Sequence, residues 1–178
     1  MIENGIFQEK CDNYSFWIKL QFYLTLCVTN SEMATKIIWN AENVSLPDLD
    51  VSLMENWLRN VAETHGKILG DLCYIFCDDE TIIKVNREFL NHDYYTDIIT
   101  FDYSRRKLVS GDMYISLDTV ASNAEGLGVD YDSELNRVIV HGLLHLCGIN
   151  DKGEGEREIM EAHENDALAE LRKLKGIR

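Results

Sequence analysis

Apolar residues are not spread evenly along this chain. From residue 36 onward they fall into short β-rich runs separated by stretches of helical spacing. Residues 36–40, with Ile37, Ile38 and Trp39, read as a short strand, and Pro47 marks the loop that follows. Met54, Trp57, Leu58 and Val61 then recur at the period of a helix, predicting one over about 52–64. Ser52 and Glu55 have the spacing of a capping box, and Gly66 is its expected stop. The run 72–77, bounded by Gly70 and by Asp78 and Asp79, is rich in β-formers and predicts a strand. A helix is expected from Asp79 through Ile82, Ile83 and Phe89, with the acidic cluster 78–80 as its solvated N-terminus. A loop over 91–95 leads into a strand over 98–101. The basic run Arg105, Arg106, Lys107 is expected at a hairpin tip, and 113–116 forms the next strand. The remainder reads as three helices: a short one from Leu117 to about Gly126, one beginning near Asp132 and Ser133, and a last one carrying Ile159, Met160, Ala167, Leu168, Leu171 and Leu174. In the second of these, Leu135, Val138, Ile139, Leu143 and Leu146 supply the buried face. Strands followed mostly by helices make an α+β (α/β-like) domain.

Residues 1–32 have a different texture. The run 16–28 is apolar, but it is broken by Lys19 and Gln21 and is too short to span a bilayer. Glu3, Glu9 and Asp12 precede it where a signal peptide would carry positive charge. This segment is therefore expected to be an extension outside the fold, or the product of an upstream start codon, with residues 33–178 as one domain. A chain of 178 residues has room for one sizeable core. Five cysteines, Cys11, Cys27, Cys73, Cys77 and Cys147, show no disulfide spacing, and a reducing cytoplasm suits them. Cys73 and Cys77 sit in an apolar run and read as buried thiols.

The chemistry concentrates in HGLLHLCGIND, residues 141–151. His141 and His145 are spaced i, i+4, which on a helix stacks two imidazoles on one face within reach of one divalent ion. Gly148 would end the helix, and Asp151 lies just past the turn, where its carboxylate can reach the same ion. Two His and one carboxylate with an open position is a catalytic kind of metal site, whereas structural zinc wants four protein ligands. An i, i+4 histidine pair is also compatible with two polar-tipped core residues. In H-E-x-x-H sites the Glu beside the first His is the general base, and Gly142 stands there instead. Arg137 falls one turn before His141 and either faces a phosphate or is a surface arginine. His163, on the last helix, is expected to be structural.

Three stretches resemble one known family. RVIVHGLLHLCG over 137–148 is similar to the signature of the YbeY family of bacterial metal-dependent endoribonucleases, whose pattern continues H-G-x-L-H-L-x-G-x-D-H. NREFLNHDYYTDIITF over 86–101 and GDMYIS over 111–116 resemble two further parts of it, in the same order. The resemblance covers about residues 36–174. It implies a small mixed β-sheet packed with helices, the metal helix lying over the sheet and the cleft between that helix and the strand ending near Phe101. It implies a single-strand endoribonuclease in ribosomal (16S) RNA maturation and ribosome quality control, with RNA and the ribosome or its proteins as partners and no membrane. His141, His145 and Asp151 would hold one zinc ion per chain, and Arg137, Thr96 and Asp97 are candidate cleft residues. Two departures from the pattern stand out. The family's third metal histidine falls on Asp151, and its arginine after the aromatic falls on Leu90. A carboxylate for an imidazole lowers the site charge by one unit and tilts metal preference toward harder ions such as manganese. Leu90 keeps open a non-catalytic, metal-stabilised, ribosome-associated protein, and HxxxH also serves zinc hydrolases of other substrates. A formal net charge of −14 opposes non-specific RNA binding, so an RNA substrate needs a local basic surface or a partner that delivers it.

Overall fold

The structure, a computed structural model, describes residues 36–90 and 93–176. Four strands form one sheet in the order β1-β2-β4-β3: β1 (Ile37–Glu42), β2 (Ile68–Cys77), β3 (Ile98–Asp102) and β4 (Leu108–Ser116). β1, β2 and β4 are parallel, and β3 runs antiparallel to β4 at one edge. Five α-helices accompany them among the described residues: α1 (Val51–Thr64), α2 (Asp79–Val85), α3 (Leu117–Leu127), α4 (Tyr131–Leu146) and α5 (Glu156–Leu174). The mixed sheet with packed helices is the α+β architecture the sequence predicts.

Alternation along the strands divides the sheet into two unequal faces. Leu72, Tyr74 and Phe76 of β2, with Met113 and Ile115 of β4, point into the main core. There they meet Trp57, Leu58 and Val61 of α1, Ile139, Leu143 and Leu144 of α4, and Met160, Ala167 and Leu171 of α5. Burying one such Leu or Ile contributes about 1.5–3 kcal/mol, so this face carries most of the stability. The other face has a small cluster of Cys77, Ile82 and Ile99, flanked by Val85, Phe101 and Tyr114. Cys77 is buried and Cys73 partly so, and both are free. Burial, with Asp112 beside Cys73 and Asp78 beside Cys77, pushes each thiol up to about 12.

α4 is the element the site depends on, and three contacts fix it. Gly142 faces the sheet: a β-carbon there would lie 2.8 Å from Ile98 Cδ1 and 3.0 Å from Met113 Sδ. Tyr74 donates its hydroxyl hydrogen to the Ile139 carbonyl, 3.2 Å away. At the start of the helix Asp130 accepts from Ser133 N at 2.9 Å. α5 is registered against α1 by Trp57 Nε1, which donates to the Ala167 carbonyl at 2.8 Å, and by Asn60 Nδ2 on Glu170 at 2.9 Å.

Several local expectations need correction. The cap of α1 is Asp50, accepting from Leu53 N at 3.0 Å, rather than Ser52 with Glu55. The helix therefore starts one residue before Ser52, and a better N-terminal acceptor wins the amide. β2 does not begin after Gly70 but runs through it. The glycine is needed because a β-carbon there would lie 2.7 Å from the Val109 carbonyl of the neighbouring strand. The helix from Asp79 does not continue as one α-helix to Phe89, because residues Asn86–Leu90 form a π-helical turn. α4 begins at Tyr131, capped by Asp130, slightly before Asp132 and Ser133. α3 ends at Leu127, with Gly128 left-handed at φ 66°. On α5, Ile159 and Leu174 are exposed, so the buried stripe is narrower than the apolar residues suggest. Residues 1–32 and the start of the loop over 91–95 lie outside the described residues, as does the side chain of Leu90.

Candidate metal centre

His141 and His145 sit partly buried on the C-terminal turns of α4, whose other faces bury Leu143, Leu144 and Leu146 in the main core. The helix ends in a left-handed turn at Gly148, φ 95°. Gly148 N bonds the His145 carbonyl at 2.9 Å and Ile149 N bonds the Leu144 carbonyl at 3.1 Å, the pairing of a Schellman motif. That reversal brings Asp151 back over the helix. Its Oδ2 lies 3.7 Å from His141 Nε2 and 3.8 Å from His145 Nε2. One ligand atom from each of the three residues lies within 4.8 Å of the others.

The remaining ring nitrogens fix the tautomers. His141 Nδ1 is 2.7 Å from Glu164 Oε1, and His145 Nδ1 is 2.9 Å from the Ile149 carbonyl. A carboxylate and a carbonyl can only accept, so both Nδ1 atoms carry hydrogen. In the neutral rings both Nε2 lone pairs are therefore free, and both face Asp151. Two bare imidazole nitrogens and one carboxylate oxygen converge on the same point without a hydrogen to share among them. This donor set suits a divalent ion.

The charges around the pair are unequal. Burial lowers His141, but the hydrogen bond and charge of Glu164, then Asp151 and Asp97, outweigh it and leave its affinity for a proton raised. Burial and the neighbouring His141 leave His145 below the ordinary histidine value. Burial raises Glu164, but its bonds to His141 and Arg137 bring it below the usual carboxylate range.

The other expected site residues are distributed unevenly. Arg137 does not point at the triad: its Nη1 bonds Glu164 Oε2 at 2.8 Å and its Nη2 bonds Asn165 Oδ1 at 3.1 Å. Its guanidinium is thereby tied to α5. Asp97 is close enough for its charge to act on His141, and its carboxylate accepts from Asn123 at 3.4 Å. Thr96 donates within its own loop, to the Ile98 carbonyl at 3.2 Å. His163 packs edge-on against His65, ring centres 4.8 Å apart, as a structural residue would. Glu164 was not singled out from the sequence, although a signal was present. It interrupts the buried stripe Met160, Ala167, Leu171 at helical spacing, and it is itself buried. An acid in that position needs a partner on the facing helix. Gly142 also gains a physical reading. Its position is packed against Ile98 and Met113, so the glutamate of an H-E-x-x-H site has no room there.

Comparison with known proteins identifies the family. A family profile described as endoribonuclease YbeY matches residues 38–172. Endoribonuclease YbeY of Parabacteroides distasonis is 59% identical over 135 residues, 76% of this chain and 95% of that protein. The proteins of the same description from Bacteroides thetaiotaomicron and Porphyromonas gingivalis are 59% and 51% identical, over 75% and 79% of this chain and 97% and 93% of theirs. A solution structure of a Thermotoga maritima protein superimposes with a TM-score of 0.54 at 22% identity, covering 78% of this chain and 90% of its own, which shows the shared fold. The class defined by fold and site is that of a small α+β hydrolase with histidines on a helix over a mixed sheet. Within that class the chain belongs to the endoribonuclease YbeY family. No helix among the described residues is long and apolar enough to cross a membrane.

Proposed function

We propose that this protein is a metal-dependent endoribonuclease that cuts single-stranded segments of ribosomal RNA during 16S maturation, working with the ribosome or its proteins in the cytoplasm. We propose residues 33–178 as its catalytic domain, with 1–32 as an extension. One observation carries the reading: the Nε2 atoms of His141 and His145 converge on Asp151 Oδ2 at 3.7 and 3.8 Å. These three residues would hold one zinc ion, or manganese, which the third ligand's charge favours. When bound, such an ion supplies Lewis acidity toward a phosphodiester and a nucleophilic water at neutral pH.

The chain's own groups do the rest. His141 and His145 present lone pairs from a rigid helix, while Asp151 adds the negative charge that two neutral imidazoles lack. Asp97, whose charge acts on His141, is the candidate for a further polar group at the edge of the centre. Lys152, next to Asp151, is a nearby cation whose charge acts on His145. A peptidase of the H-E-x-x-H type is disfavoured by the packing at Gly142.

The test is cleavage of a single-stranded ribosomal RNA fragment by the full chain, with and without chelator, beside the His145→Ala variant. Cleavage that needs added zinc or manganese and disappears in the variant supports the proposal. A chain that binds metal yet cuts no RNA would leave the non-catalytic, metal-stabilised reading in its place.

A further inference from the structure

Glu164 is a buried carboxylate on α5, an element that contributes nothing to the three-residue cluster itself. Both of its oxygens are used. Oε1 accepts from His141 Nδ1 at 2.7 Å, and Oε2 accepts from Arg137 Nη1 at 2.8 Å. Arg137 and His141 stand one turn apart on α4, so a single carboxylate from the facing helix spans both. The arginine is held from a second side by Asn165, at 3.1 Å, and lies 3.9 Å from the buried Glu134. Trp57 and Asn60 of α1 fix the register of α5 just C-terminal to this contact, through Ala167 and Glu170. Glu164 therefore cannot be a loose surface acid that happens to touch a histidine. Three helices fix its position.

His145 has no such partner. Its Nδ1 is oriented by the Ile149 carbonyl, a neutral group within the turn that ends its own helix. The two rings are thus set in the same tautomer by different means, one by a charged side chain from another helix and the other by local backbone.

We infer that Glu164 is a positioning residue for the metal centre: clamped by Arg137, it holds His141 with hydrogen on Nδ1 and the lone pair of Nε2 aimed at the site. Arg137 acts through Glu164 and has no direct role toward the phosphate. A charged acceptor behind a ligating imidazole makes the facing nitrogen a better donor, and loss of such a partner typically weakens metal binding about 10–100-fold. The inference rests on the metal reading of His141, His145 and Asp151.

Two measurements on the full chain test it. Zinc affinity is measured by competition with a chromophoric chelator for the wild type, Glu164→Gln, Glu164→Ala and Arg137→Ala. Imidazole nitrogen shifts of the metal-free proteins are recorded at neutral pH to report the tautomer of each ring. Glu164→Gln keeps the shape of the side chain and serves if the alanine variant fails to fold. The expected result is a loss of affinity of about 10-fold or more in both Glu164 variants and a smaller loss in Arg137→Ala. In Glu164→Ala the His141 ring should become a mixture of tautomers while His145 stays as in the wild type. Folded Glu164 variants with wild-type zinc affinity and an unchanged His141 tautomer would overturn the inference and leave the metal site standing. A wild type that takes up no zinc or manganese would sink the metal reading and this inference with it.

Discussion

The candidate centre has a helical half and a loop half, and they are built differently. His141 and His145 stand on α4, whose other faces bury Leu143, Leu144 and Leu146, and each ring is fixed by a second contact at Nδ1. Asp151 stands in the stretch 150–155, where most residues are exposed and Gly153 and Gly155 punctuate the chain. Its place is set by the left-handed turn at Gly148, by Ile149, which packs against the main core, and by its approach to the two rings. The helical half is therefore preorganised by a buried helix face, and the loop half mostly by the turn that follows it. A third ligand in such a loop can change identity without repacking anything, whereas a change in the helical pair must be absorbed by α4 and its neighbours. This difference explains how the chain can carry a carboxylate where the family pattern has an imidazole.

The contrast can be broken most sharply on the helix. His145→Ala removes one of only two nitrogen donors, so metal bound by the purified chain should fall to background. Full retention in a metal analysis would refute the site. Leu143→Ala attacks the buried face of the same helix. Its side chain is fully buried, so the expected cost is about 2–5 kcal/mol in denaturant unfolding. A cost below about 1 kcal/mol would mean that the helix is not held by this packing.

Substitutions in the loop should act on affinity and spare stability. Asp151→Asn keeps the shape and removes the charge, so zinc should bind more weakly. Asp151→His restores the family's ligand set and should bind zinc at least as tightly as the wild type, with a melting temperature within about 2–4 °C of it. Equal affinity for the wild type and Asp151→Asn would reduce Asp151 to a residue that caps the turn. The smallest effect is expected from a chain starting at Met33. If the fold resides in 33–178, its melting temperature should shift by less than about 2–4 °C, which corresponds to about 1 kcal/mol for a chain of this length. A larger loss would make residues 1–32 part of the stabilising structure.

Local pattern carried much of this architecture. The Met54, Trp57, Leu58 and Val61 stripe marked α1 because a helix with one buried face must repeat apolar residues at its own period. The HxxxH spacing and Gly148 marked the end of α4 because ligand spacing and a left-handed turn are properties of a single short segment. The boundary at Gly70 was misread for the converse reason. A glycine in a strand is ambiguous until the neighbouring Val109 carbonyl shows why a side chain is excluded. The Asp50 cap and the π-helical turn after Val85 were likewise missed, since either of two nearby acceptors can serve an amide and a single extra residue in a turn leaves little trace in periodicity.

By itself the sequence determined the helix that bears the histidines, the turn that returns Asp151 and the likeness to a nuclease family, because all three depend on residues close in the chain or on motifs read in order. Only the tertiary structure decided what Arg137, Gly142 and Glu164 touch. The sequence left Arg137 open between a phosphate contact and a surface arginine; the fold sets Glu164 against it, 27 residues away in sequence and 2.8 Å away in space. Gly142 was noted as a missing base until Ile98 and Met113 showed that its position is filled by the sheet. Hydrogen bonds and close packing between distant segments have ranges of a few ångströms, and no period or spacing along a chain encodes which helix will supply the partner.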